Sequence, residues 1–433
     1  MGVATMKPEV LVFIAGLCLA TQLVSATYFV SNPTSPNAAA VLASSIVERG
    51  EFAVRAWPRT AKTPSGAEEP LRAYHLPAEP LYLAAGFRFL PPTLSRYLHV
   101  PVTVLFVTAV AAVGVWVGGR VVGLLAGALA TFDPFVLVHG PVWDDAFLGA
   151  ALEWTVFAVL VRGLASAGQS QLNSSQTMTV ASLIAAAAST AALTRSSSQV
   201  VIGLVATVVI AGRTFRPIRT YGWAAIAGLA LALAVWGARN QAVLGEFFVG
   251  SSHDGITLFE SNYATARPSI LRTGIAESYE LEDLGTHFHA VASMTELDAN
   301  RYFTRQAVAY AARQPADVLA TAGLKLFASL TGVNLGQQVA TRRNLVALIS
   351  NVGLLLAGVL GWRWLSRDRA RGEVVLLCYV GAIVAIATCL GLLGGPVGLR
   401  YRISAAPLLY LGAAVAMVEL AVRRRTTAHG QPS

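Results

Sequence analysis

Charge is scarce in this chain. Of its 433 residues only 13% are Asp, Glu, Lys or Arg, while 55% are hydrophobic and the mean hydropathy is +0.58. Soluble domains carry roughly 25% charged residues, so a soluble globular protein is excluded. Cysteine is scarce too. Cys18, Cys378 and Cys389 all lie inside apolar runs. Buried free thiols are the ordinary outcome there, and they define neither a disulfide framework nor a redox compartment. The chain lacks a Walker loop, a sustained heptad and an internal repeat. Neither His253-Asp254 nor His287-Phe288-His289 has partners at a zinc-ligand spacing. The long apolar runs do not alternate with polar residues, which excludes a membrane barrel. Paired broken helices with charges at mid-depth, the mark of a transporter, are missing as well.

What is present is a series of apolar runs near the roughly 20 residues needed to cross a bilayer. Such spans must be helical, because lipid leaves backbone polar groups without partners. The runs fall near 10–30, 98–118, 121–138, 146–164, 179–194, 198–212, 221–238, 345–364, 374–394 and 403–422. The expected fold is therefore an all-α polytopic membrane protein with about ten transmembrane helices, in a range of 9–12. The run at 10–30 also has the form of a signal peptide, with Val24-Ser25-Ala26 as a loose cleavage site, but a first span looks the same. Residues 316–334 are apolar yet short and contain Asp317 and Lys325, which suits an interfacial helix.

The net charge of +9 does not indicate a nucleic-acid partner. Its cations cluster in short loops, with Arg213, Arg216 and Arg219 in one, Arg367, Arg369 and Arg371 in a second, and Arg423, Arg424 and Arg425 at the C-terminus. The positive-inside bias puts all three in the cytoplasm. The opposite, extracytoplasmic face then carries two long loops with short interfacial helices, 31–97 and 239–344. Residues 1–422 form the transmembrane domain and 423–433 a basic cytoplasmic tail. In the first loop, Ala38–Glu48 reads as an amphipathic helix, and the prolines of Tyr74–Tyr82 as a turn feeding a second. The second loop begins where an apolar helix ends at Trp236-Gly-Ala-Arg239-Asn240, followed by roughly 75 mostly polar residues.

That face holds the residues able to do chemistry. Asp144 and Asp145 sit in a very short loop. Adjacent carboxylates at a membrane boundary are costly unless they face water or a cation. They suit a general base or a ligand for Mg²⁺ or Mn²⁺, with Asp145 as the metal-binding candidate. Helix capping explains them equally well, and Asp133 before Pro134 shares that ambiguity. Arg239, Arg400 and Arg195 place guanidinium groups at helix ends, where they match phosphate oxygens or simply reach for lipid headgroups.

In order along the chain, four stretches resemble the GT-C membrane glycosyltransferases, in particular the prokaryotic protein mannosyltransferase and aminoarabinose-transferase-like group. These are Leu42-Ala43-x-Ser45 through Gly50-Glu-Phe52 with the Pro-rich Tyr74–Tyr82; Gly118-Gly-Arg120 with Pro134 and the Gly140–Phe147 loop; Ala192-Leu-Thr-Arg195; and Trp236-x-x-Arg239-Asn240 with Gly245-Glu-Phe-Phe, Asp254-Gly-x-x-Leu258 and Asn262. Lys325 and Arg400-Tyr401-Arg402 complete the order. The resemblance covers nearly the whole chain. It implies an enzyme of a cell inner (plasma) membrane that moves a sugar from a polyprenyl-phosphate donor to an extracytoplasmic acceptor, whether protein, lipid or glycan, with inversion. The family's second-loop acid falls on Asp145, its membrane-edge Arg-Asn on Arg239 and Asn240, and its late Arg-Tyr on Arg400 and Tyr401; with the residues' own chemistry added, catalysis is expected of Asp145 and Asp144. The donor phosphate falls to Arg239, Arg400, Arg195 and Lys325. Substrate contacts fall to Asn240, Tyr401, His253, Asp254, Asn262, His75 and Glu79.

One departure matters. The family places an acid about seven residues before the Leu-Ala of the first loop, and here Ser35-Pro36-Asn37 occupies that stretch. A serine hydroxyl is a poor substitute for a carboxylate base. Either Asp144, Asp145, Glu51 or Glu79 takes its place, or the chain is a catalytically impaired relative that binds lipid-linked sugar or assists envelope glycan assembly.

Overall fold

The protein, seen in a computed structural model, is described over residues 8–29, 38–54, 70–166, 174–273, 287, 290–291, 293–336, 341–368, 371–394 and 402–428. Arg400, Tyr401, His289 and the Ser35–Asn37 stretch lie outside these residues. Its first half contains α1 (Pro8–Phe29), α2 (Ala38–Arg49), α3 (Ala78–Phe89), α4 (Pro92–Ser95), α5 (His99–Gly118), α6 (Arg120–Phe132), α7 (Pro134–His139), α8 (Asp145–Ser166) and α9 (Ser174–Ala192). There follow α10 (Ser196–Ala211), α11 (Arg219–Leu244), α12 (Asp254–Asn262), α13 (Ala266–Thr273), α14 (Glu296–Arg313), α15 (Pro315–Thr331), α16 (Arg342–Leu365), α17 (Gly372–Gly394) and α18 (Ala406–Ala428). The described residues form no strand, only an antiparallel bridge between Val54 and Leu71 that closes part of the first long connection.

This is an all-α polytopic membrane protein. Among the described residues, seven helical stretches are long and apolar enough to cross a bilayer: Pro8–Thr27, Pro92–Gly118, Asp145–Ser166, Arg213–Leu244, Asn344–Leu365, Gly372–Gly391 and Ala406–Arg425. Two more of the ten expected spans, Arg120–Phe132 and Ser196–Ala211, are apolar but shorter. The run at 179–194 lies in α9, whose many Ser and Thr residues lower its hydropathy. The run at 121–138 is broken. Asp133 is extended, and its carboxylate accepts from the amides of Phe135 (2.7 Å) and Val136 (3.4 Å), so it ends α6 and caps α7 in front of Pro134.

Helix α8 is central. It packs on α5, α9, α10 and α17, and buries Phe147, Trp154 and Phe157 completely. Helices α5 and α6 form a tight antiparallel pair. Gly119 turns the chain at φ 85, a conformation that suits glycine, and a Cβ on Gly114 would stand 2.8 Å from the Gly123 Cα. The arginine clusters gather at one end of the bundle. Gly372 lies beside Thr214 and Leu164, and Arg423 stands over the Trp364 ring at 5.2 Å, which brings the ends of α8, α10, α16 and α18 together there. The two long connections lie at the other end.

Those connections are more helical than their polarity suggests. α11 does not stop at Asn240 but runs to Leu244, where Gly245 adopts φ 78 and closes the helix. Three further helices, α12, α13 and α14, lie within the stretch expected to be mostly loop. Thr295 starts α14 by accepting from the Asp298 amide. As the sequence indicates, α2 and α3 form in the first connection, and α15 forms a short helix that buries Thr321, Lys325, Ala328, Ser329 and Thr331.

Candidate functional site

The turn between α9 and α10 carries Leu193-Thr194-Arg195-Ser196-Ser197-Ser198, and three acidic side chains converge on it. Asp145, the first residue of α8, lies 3.6 Å from the Arg195 guanidinium, with the two side chains 25% and 14% exposed. Asp254, the first residue of α12, accepts from the Ser196 hydroxyl at 2.9 Å and from the Ser251 amide at 3.2 Å. Glu153, two turns further along α8, accepts from the Ser198 hydroxyl at 2.6 Å.

The adjacent aspartates divide their work. Asp144 accepts from the Ala146 amide at 2.8 Å and so caps α8. Asp145 turns to Arg195. Burial pushes the Asp254 carboxyl above its ordinary range. Its Ser251 and Ser196 hydrogen bonds oppose that, as does Arg195, and the neighbouring Asp145 adds to it.

Arg239 has a different set of partners. It donates to the carbonyls of Arg72 (2.7 Å) and Phe52 (3.3 Å) and to Asn240 Oδ1 (2.8 Å), and it stacks over the rings of Trp236 and Phe52 at 4.9 and 5.2 Å. Asn240 donates to the Phe248 carbonyl at 2.6 Å, and the Trp236 indole to the Gly250 carbonyl at 3.0 Å. Arg239 and Asn240 thus tie both long connections to the end of α11. Glu296 continues this seam. Its carboxylate accepts from the amides of Arg72 (2.7 Å) and Ala73 (2.9 Å) and from the Ser252 hydroxyl.

The remaining candidates occupy three places. His253 lies against Tyr74 and His75, with ring centroids 4.5 and 5.9 Å away. Glu79 is buried against His99 at 2.7 Å. At the far end of α12, Asn262 Oδ1 stands 3.5 Å from the Lys325 ammonium, which is fully buried. Burial pulls Lys325 down to about 7. Nine helical residues rise about 12 Å, so α12 holds the Asp254 cluster and the Lys325 pair well apart.

Ser196, Ser198, Glu153 and Glu296 are absent from the sequence-derived set. Glu153 had a visible signal, since it is an acid inside an otherwise apolar run. The serines had none. Among the described residues, no three His, Cys, Asp or Glu side chains group as metal ligands. Asp145 and Asp254 offer the hard oxygens that Mg²⁺ or Mn²⁺ prefers, and the Arg195 guanidinium is a neighbour of both.

No family model matches the chain, and no curated protein is similar to it in sequence at a significant level. Its fold is nevertheless that of solved structures. The oligosaccharyltransferase AglB of Archaeoglobus fulgidus, in complex with an inhibitory peptide and a dolichol-phosphate, superposes with a TM-score of 0.54 at 12% identity, over 98% of this chain and 52% of that one. The Archaeoglobus fulgidus oligosaccharyltransferase in complex with Zn and sulfate gives 0.56 at 13% identity, over 96% and 49%. The apo form gives 0.52 at 13% identity, over 98% and 52%. The chain spans about half the length of these structures. At this identity the likeness is one of fold.

Proposed function

We propose that this protein is a membrane glycosyltransferase that moves a sugar from a polyprenyl-phosphate donor to an acceptor at the loop-bearing end of the bundle. The observation that carries the reading is the pairing of Asp145 with Arg195 where α8, the α9–α10 turn and α12 meet. A partly exposed carboxylate held by a guanidinium, at the ends of apolar helices in a GT-C fold, suits transfer from a lipid-borne phosphate. With the arginine clusters at the opposite end, the positive-inside bias turns this site away from the cytoplasm, across a plasma (inner) membrane.

In this reading Asp145 removes the proton of an acceptor hydroxyl. That oxygen forms a bond to the anomeric carbon from the face opposite the phosphate. The electron pair of the breaking glycosidic bond leaves with the phosphate oxygen, and the anomeric centre inverts. Arg195 stabilises the developing negative charge. Lys325, about 12 Å away along α12, does not reach this phosphate. Arg239 ties the first long connection to the end of α11, and Asp254 and His253 line the α12 side of the site. AglB in complex with a peptide and a dolichol-phosphate supports a lipid-phosphate donor and, in one arm of the test, a peptide acceptor.

The test is transfer in membranes from a panel of polyprenyl-phosphate sugars to peptide, lipid and glycan acceptors, with products identified by mass spectrometry. A glycosylated product that disappears in Asp145→Asn supports the reading, and full activity in that variant sinks it. The absence of an acid at Ser35–Asn37 favours a second reading, in which the protein binds the lipid-linked sugar without transferring it. Donor binding with no product from any acceptor would establish that one.

A further inference from the structure

We propose that Glu153 is a positioning residue of this site, acting through Ser198 to hold Arg195 opposite Asp145. This rests on the glycosyltransferase reading and extends it to a residue that takes no part in the chemistry above.

Glu153 is 1% exposed within a helix that crosses the membrane. A carboxyl buried there is costly and calls for a specific partner. Glu153 Oε1 accepts from the Ser198 hydroxyl at 2.6 Å. Oε2 makes no hydrogen bond among the described residues, and the Ser404 hydroxyl lies nearby. The neighbouring Trp154 indole donates to the Ser404 carbonyl at 2.9 Å, so the segment before α18 is fastened at the same level.

The geometry leads from Glu153 to Arg195 in two steps. Asp145, Gly149 and Glu153 recur every four residues and therefore share one face of α8. That face meets the α9–α10 turn closely. A Cβ on Gly149 would stand 2.9 Å from Thr194 Oγ1, 3.1 Å from Ser198 Oγ and 3.7 Å from Arg195 Cδ. Ser198 belongs to the first turn of α10, and its amide donates to the Arg195 carbonyl at 3.1 Å. Arg195 itself is extended at the helix start, with no side chain capping the helix there. The first turn of α10 is thus fixed from α8 by Glu153. With it is fixed the direction in which Arg195 leaves the chain. Among the described residues, the charged groups facing this corner are Arg195 from the turn, Asp145 from α8 and Asp254 from α12. Arg402, on the segment before α18, is engaged with Asp133 at 3.4 Å.

The experiment measures the affinity of the detergent-solubilised full-length protein for decaprenyl phosphate, with tryptophan fluorescence as the signal. It compares the unaltered protein with Glu153→Leu, Glu153→Gln, Ser198→Ala and the Glu153→Leu/Ser198→Ala double variant. Glu153→Leu and Ser198→Ala should each weaken binding about tenfold, the scale of one lost hydrogen bond. The double variant should be no weaker than the weaker single, because both remove one contact. Glu153→Gln keeps an acceptor for Ser198 and should stay within about threefold of the unaltered protein. A purely structural role would instead lower the amount of folded protein and leave the affinity of the folded fraction unchanged. Unchanged binding in Ser198→Ala, additive losses, or equal losses in Gln and Leu would each overturn the proposal. If Glu153→Leu does not fold, Ser198→Ala and Glu153→Gln decide it. Failure of the unaltered protein to bind overturns the glycosyltransferase reading and this inference together. Normal binding by the variants overturns the inference alone.

Discussion

Ser196 donates a hydrogen bond to Asp254 at 2.9 Å across 58 positions of sequence, and this contact fastens α12 to the α9–α10 turn. It brings a helix of the second long connection to the same few ångströms as Arg195 and, through Arg195, Asp145. The residues with chemistry to offer are thereby drawn from three separate parts of the chain.

Asp144 and Asp145 should separate cleanly on substitution. Asp145→Asn is expected to lower transfer about 10²- to 10⁴-fold with no loss of folded protein in the membrane. Asp144→Ala removes a cap and should cost about 1 kcal/mol of stability while activity persists. Initial rates and thermal denaturation of both variants, measured side by side, check this division.

The Asp254 carboxyl sits above its unfolded value of 3.8 because of burial. A raised carboxyl favours the folded state fully below that value and loses the contribution as pH rises through the folded one. Relative to the unaltered protein, Asp254→Asn should therefore gain thermal stability as pH is raised from about 4 to 7. A Tm difference independent of pH would contradict it.

Lys325 gives the opposite slope at higher pH. It lies on α15, outside the seven spans, and is drawn from 10.5 to about 7 by burial. The unfolded chain binds its proton between these values and the folded chain does not, so stability from this group rises across that window. The unaltered protein should lose ground against Lys325→Met as pH falls from 10 toward 7. Differential scanning of both proteins over this range shows the sign.

Arg239→Lys should loosen the first long connection. Lysine cannot reproduce a guanidinium that donates to two carbonyls and stacks on two rings. The expected cost is about 1–3 kcal/mol. It should appear as faster hydrogen exchange at the amides of Leu71–Tyr74 rather than within α8.

The sequence alone determined the class of this protein, because low charge and long apolar runs leave helical membrane spans as the only way to satisfy the backbone. The break at Asp133-Pro134 and the closure at Gly245 came only with the structure, since 121–138 reads as one run and α11 as ending at Asn240, but the short helices α2, α3 and α15 were legible in the sequence. These depend on local chemistry, in which a residue's own neighbours supply the cap or the turn. It indicated that Asp145 and Arg195 were candidates but not that they were partners. That pairing depends on α8 and the α9–α10 turn meeting across 50 positions, and no local pattern encodes such a meeting. Tertiary structure alone decided that Asp144 is a cap, that Arg239 ties two connections together, and that Ser196 and Ser198 hold acids on either side of Arg195. A serine or an arginine carries the same side chain whether it tethers a loop or meets a substrate. Only the groups brought against it by packing select between the two.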